Sequence, residues 1–97
     1  MRPSVALDQN RQAVREAVRR CERVANPRVF GSVARGADQD GSDVDLLVDA
    51  LPGVTLFTLG GLQNNLEEIL DVKVDLVTTD ELPRFFRDRV LYEAVPL

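Results

Sequence analysis

Apolar residues recur at helical spacing from about Leu7 to Val24. Ala13, Val14, Ala17, Val18, Cys21 and Val24 fall on one stripe, while Arg11, Arg15, Arg19 and Arg23 fill another. Asn26-Pro27 reads as the stop of that helix. Arg28-Val29-Phe30 is a short β-prone run that ends at Gly31-Ser32, where Ser32 can cap a brief helix through about Gly36. Ala37 to Gly41 reads as a polar loop. From Ser42 to Val48 the period falls to two: Val44, Leu46 and Val48 alternate with Asp43, Asp45 and Leu47. Leu51-Pro52-Gly53 is a turn. Helical spacing returns from about Thr55 to Leu70 through Leu59, Leu62, Leu66, Ile69 and Leu70, and Gly60-Gly61 weakens it by about 1 kcal/mol per glycine relative to alanine. Val72 to Val77 alternates again, with Val72, Val74 and Leu76 on one side and Lys73, Asp75 and Val77 on the other. Thr79 or Asp80 can cap a last helix, with Pro83 in its first turn and Phe86, Val90, Leu91 and Ala94 as its buried stripe. The predicted order is α-β-α-β-α-β-α: an α/β (α+β) fold in which helices flank a small three-stranded sheet.

The 97 residues fit a single domain spanning 1–97, with 44% hydrophobic and 29% charged residues. No apolar run approaches the roughly 20 residues that span a bilayer, and the N-terminus lacks a signal-peptide pattern, so a cytoplasmic protein without membrane contact is expected. A single Cys21 and no His exclude an internal disulfide, His-based triads and the common zinc sets. Charge is lopsided. Residues 1–36 balance at +5 and residues 37–97 at −9, for a net −4. An acidic half of this kind argues against direct nucleic-acid binding, and aspartates without opposing cations suggest sites for a metal ion.

Asp43 and Asp45, two apart on a strand, leave the same face of the sheet. Their mutual repulsion makes sense where a divalent cation neutralises it. Mg²⁺ suits the pair because it takes one or two carboxylates and completes its octahedron with water and phosphate oxygens. Asp75 arrives on the next strand; in one sheet, the three carboxylates can converge on a two-metal centre. Gly31-Ser32 joins a strand to a helix start, where free N–H groups can cradle a triphosphate. Each feature alone has a plainer reading: a helix cap at Gly31-Ser32, a solvated face at Asp43 and Asp45, an edge-strand charge at Asp75, a surface residue at Arg35.

Combined, they are more specific. The stretch GSVARGADQDGSDVDLLV, Gly31 to Val48, resembles the signature of the polymerase-β-like nucleotidyltransferase superfamily: Gly-Ser, a short helix ending in Arg-Gly, then Asp-x-Asp on a strand. It is most similar to the minimal nucleotidyltransferases, small partners of HEPN proteins in prokaryotic toxin–antitoxin pairs. The similarity continues through LGGLQNNLEEILDVKVDLVT and the ending RVLYEAVPL. The resemblance implies an ATP-using enzyme with Asp43, Asp45 and Asp75 as catalytic metal ligands. The expected site has two Mg²⁺ ions, with Gly31, Ser32 and more weakly Arg35 on the nucleotide. It further implies transfer of AMP to a tyrosine hydroxyl of a HEPN ribonuclease toxin, in a hetero-oligomer where this chain is the antitoxin. A binding-only antitoxin and a small-molecule (antibiotic) nucleotidyltransferase are the rival readings. Asp71 departs from the Gly these proteins often carry after the second long helix, and Asp tolerates the left-handed conformation better than most residues. The Arg11, Arg15, Arg19 and Arg23 stripe, with Arg84, Arg87 and Arg89, is a candidate docking surface.

Overall fold

A helix begins almost at the N-terminus. Pro3 fills a first-turn position, where its missing N–H costs nothing, and α1 runs Pro3–Arg20 in the computed structural model, which describes residues 1–97. Both ends lie about four residues before the ones the apolar spacing predicts. Val14, Ala17 and Val18 are buried as expected, and Cys21 is a partly buried free thiol against the core. Ala13 is exposed, and Val24 belongs to the following strand. Two backbone features end the helix: Cys21 is extended and Arg23 takes a left-handed φ of 66°.

The sheet has four strands, not three. β1 (Val24–Phe30), β2 (Val44–Ala50), β3 (Val74–Thr78) and β4 (Val95–Pro96) lie in the order β3-β2-β1-β4. β2 and β3 are parallel, and the other pairs are antiparallel. The added strand is only two residues long, too short to show a period. Asn26-Pro27 proves to be a bulge within β1 and not a helix stop. The register shifts between Ala25 and Arg28, Asn26 adopts φ 55°, and the Pro27 carbonyl accepts the Leu97 N–H at 3.2 Å.

One face of the sheet packs on α1 and α3 (Leu56–Leu70) through Leu7, Val14, Val44, Leu46, Val48 and Leu66. The other face is covered over only part of its area. There α4 (Arg84–Glu93) packs Val90 with Leu82 onto Leu47. This explains why Leu47 is buried although it shares a strand parity with Asp43 and Asp45. Leu91, expected in the buried stripe of α4, is 38% exposed because Phe86, Val90 and Ala94 already fill the contact.

Turn chemistry sets the remaining boundaries. Thr55 caps α3, its hydroxyl accepting the Thr58 N–H at 3.1 Å. Asp71 closes α3 in the left-handed region at φ 54°, ψ 35°, the tolerance expected of an Asp in place of Gly. The expected cap at Thr79 or Asp80 is displaced. Those residues form a separate 3-10 turn, Thr79–Glu81, held by Glu81 Oε1 accepting the Thr78 N–H and hydroxyl, and Pro83 then precedes α4. β3 is an edge strand whose outward N–H groups are covered. Val74 N–H donates to Glu67 Oε2 at 2.9 Å and Leu76 N–H to Gln63 Oε1 at 3.3 Å, which removes two donors another chain could pair with. No helix is long and apolar enough to cross a membrane.

Candidate active site

The partly uncovered face of the sheet carries the acidic residues. In the parallel register Asp45 stands directly beside Asp75, and Phe30 at the end of β1 is its partner on the other side. Asp43 immediately precedes β2 and is close enough to bear on Asp45 electrostatically. Sheet register thus gathers residues 30 positions apart, as strand parity predicts for one sheet.

Asp45 is the most perturbed acid. Its carboxyl is pushed up to about 6, first by burial and then by the negative charges of Asp75 and Asp43; Arg35 opposes the rise and Glu93 adds to it. None of Asp43, Asp45 and Asp75 belongs to an ion pair. Asp49, two positions beyond Leu47 on the same strand, is a useful contrast. It accepts from Arg28 Nη2 at 2.6 Å, from Thr79 Oγ1 at 2.9 Å and from Asn26 Nδ2 at 3.2 Å. Although burial pulls its carboxyl up, the hydrogen bonds from Thr79, Asn26 and Arg28 and the Arg28 charge hold it below the usual range. Asp49 is a structural carboxylate with its charge satisfied, whereas Asp45 faces other acids without a partner.

Gly31 follows β1 with φ +72°, and a Cβ there would land on Asp45 Oδ2, 3.0 Å from its Cγ. Only a glycine allows that backbone conformation and that proximity together. From it starts α2 (Gly31–Arg35), closed by Gly36 at φ 72°. Ser32 lies inside the first turn of α2 and does not cap it; the cap position is Phe30, with no side-chain bond. Its partly exposed hydroxyl is therefore not committed to a cap. Arg35 ends α2 and donates Nη1 to Glu93 Oε1 at 2.8 Å, which also accepts the Gly31 N–H at 3.0 Å.

Two contributors escaped the sequence reading. Glu93 lay in the ending RVLYEAVPL, which carries the family resemblance but no spacing that gives this residue a role in the site. Asp38 lay in what reads as a polar loop, yet it is buried, accepting the Ser4 N–H at 2.8 Å and Arg2 Nη2 at 3.1 Å. The Ser4 backbone bond first, then the Ser4 and Arg2 side-chain contacts, hold its carboxyl below the ordinary range against burial. It anchors the loop that leads into Asp43.

The donor set suits Mg²⁺: carboxylate oxygens beside a turn that a nucleotide phosphate can approach. As oriented, the acidic side chains do not close into a group of three that could hold an ion, contrary to the expected convergence on a shared point. Asp75 is exposed, and three like charges without a cation repel. An ion that takes one or two carboxylates and fills its shell with water and phosphate oxygens does not require a closed protein cage.

A family profile describing the nucleotidyltransferase domain matches residues 11–97. A candidate protein adenylyltransferase of Methanocaldococcus jannaschii is 39% identical over 72 residues, which cover 74% of this chain and 77% of that protein. Among solved structures, a candidate minimal nucleotidyltransferase superposes with a TM-score of 0.81 at 41% identity, covering 94% of this chain and 95% of the other. A toxin–antitoxin crystal structure with AMP-PNP shares the fold, with a TM-score of 0.78 at 23% identity over 90% of this chain and 71% of that one.

Proposed function

Because this chain belongs to the nucleotidyltransferase domain family, we propose that it transfers AMP from ATP to a tyrosine hydroxyl of a HEPN-type toxin and thereby acts as its antitoxin. The observation that carries the chemistry is the pairing of Asp45 with Asp75, unneutralised, beside the Gly31 turn. Asp43 and Asp45, with Asp75, would hold Mg²⁺, which when bound offsets phosphate charge and orients the reacting oxygens. Ser32 and the backbone amides after Gly31 hold the β- and γ-phosphates, with Arg35 adding positive charge nearby. Asp75 is exposed where Asp43 and Asp45 are partly buried, so it is the one an incoming acceptor can reach, and it would take the proton of the acceptor hydroxyl. The acceptor oxygen forms a bond to the α-phosphorus, the bond from that phosphorus to the bridging oxygen breaks, and pyrophosphate leaves.

A macromolecular acceptor is supported by the surface. Phe85 is 89% and Tyr92 94% exposed on α4, next to the site. Large apolar groups left in water on a small domain mark an interaction face. The stripe of Arg11, Arg15, Arg19 and Arg23 is a poorer candidate than its sequence suggests, since Arg23 lies beyond the end of α1. Arg11 is paired with Asp8, Arg19 with Glu16, and Arg23 donates to the Pro52 carbonyl, so that Arg15 alone carries no such partner. The adenylyltransferase relative, at 39% identity, supports a protein as the acceptor and an adenylyl group as what is moved.

The test is to incubate the chain with α-labelled ATP, Mg²⁺ and its co-expressed neighbour. Label on a partner tyrosine, lost with Asp43→Asn or Asp45→Asn, is the expected result. An unmodified partner beside an adenylylated aminoglycoside-like compound would refute the antitoxin role. An unlabelled partner that is nonetheless inhibited would favour steric blocking.

A further inference from the structure

Glu93 ends α4, and one of its oxygens, Oε1, accepts from both Gly31 N–H and Arg35 Nη1. Those donors are the first and last residues of α2. A single carboxylate oxygen therefore ties both ends of that helix to α4. The helix needs such a tie: it has only five residues, none is fully buried, and no side chain caps its start. Helices this short do not hold their own conformation in water. Val33 and Ala34 rest partly on the core, but that contact fixes neither the peptide entering Gly31 nor the guanidinium of Arg35.

We infer that Glu93 is a positioning residue of the nucleotide site, holding the Gly31 turn and Arg35 so that Ser32 and the amides after it face the phosphates beside Asp45. This rests on the nucleotidyl-transfer reading given above. The rival role is a placeholder anion that the triphosphate must displace. On the nucleotidyl-transfer reading the phosphate donors begin at Ser32, which leaves the Gly31 N–H for Glu93, and one observation favours positioning. The Glu93 side chain is only 21% exposed, packed against α2 and not free in solvent.

The two roles predict opposite signs. Mg·ATP is titrated by calorimetry into the full-length wild type, Glu93→Ala and Glu93→Gln, with thermal melts and hydrogen exchange of the Gly31 amide measured on the same samples. Glu93→Ala removes both hydrogen bonds, and because they act on the nucleotide only through the turn they hold, positioning predicts about tenfold weaker Mg·ATP binding. Glu93→Gln should recover most of it, since an amide oxygen still accepts the Gly31 N–H, and should stay about threefold weak because the Arg35 ion pair is gone. Protection of the Gly31 amide should follow the same order, with cooperative melting retained. If Glu93→Ala does not fold, the isosteric Gln variant decides alone. Binding equal to or tighter than wild type in either folded variant overturns the positioning role. A wild type that binds no Mg·ATP refutes the nucleotidyl-transfer reading and the role built on it, whereas the Gly31 exchange data report independently whether the tie exists.

Discussion

Replacing Asp45 with Asn should make the metal-free chain more stable while destroying its activity. The folded protein raises this carboxyl from 3.8 to about 6, so the fold prefers the protonated form. Below about pH 3.8 the group is neutral in both states and costs nothing. The penalty grows as pH rises and is complete above about pH 6, where the folded chain must carry the charge. Roughly two pKa units at about 1.36 kcal/mol each set a ceiling near 3 kcal/mol. Asp45 keeps contact with solvent, which screens the repulsion, so about 1 kcal/mol is the working figure. Asn has nearly the same shape, does not ionise and leaves Gly31 its space. In chelator-treated protein, Asp45→Asn should raise the melting temperature at pH 7 by about 4–8 °C. The gain should shrink steadily toward pH 4. Denaturant titrations of both proteins across that range measure the difference directly, and the other ionisable groups largely cancel. A variant less stable than wild type at pH 7, or a gain that ignores pH, would refute the claim that the burial of the Asp45 charge, and its repulsion by Asp75 and Asp43, is stored in the fold.

Three further outcomes follow from the site. Gly31→Ala puts a methyl group onto Asp45 Oδ2 in a left-handed conformation, so it should cost about 1–3 kcal/mol in denaturant melts and most of the transfer rate; near-normal values would remove the close approach from the mechanism. Ser32→Ala should raise the barrier by about 1–2 kcal/mol, read as kcat/KM for ATP, with stability unchanged because the hydroxyl caps nothing. Mg²⁺ with nucleotide should stabilise the fold, by about 2.7 kcal/mol at a hundredfold excess over Kd; melts indifferent to Mg²⁺ with or without nucleotide would exclude a metal at these carboxylates.

Local patterns were sufficient for much of this protein. A period of two at Val44, Leu46 and Val48, with Asp43 and Asp45 between, defines a strand and one acidic face whatever surrounds it, because alternation follows from the backbone itself. Asp71, a tolerant closure for α3, was likewise legible from residue chemistry, whereas Gly31 was legible only as a strand-to-helix junction open to a phosphate, and its left-handed turn against Asp45 came with the fold. Long-range contacts decided the rest. Asn26-Pro27 has the composition of a helix stop, yet it is a bulge because β2 and Leu97 pair with the residues around it. Val95–Pro96 becomes a strand only through Arg28 and Val29, and Leu47 is buried only because α4 crosses the other face. The same holds for the electrostatics. Asp45 and Asp49 share a strand and a chemistry, but Arg28, Asn26 and Thr79 satisfy one while Asp43, Asp75 and Glu93 crowd the other. Sequence supplies the charges and the face they occupy; folding brings distant residues within a few ångströms, and the sign of what arrives there separates an aspartate whose charge is satisfied from one whose charge is not.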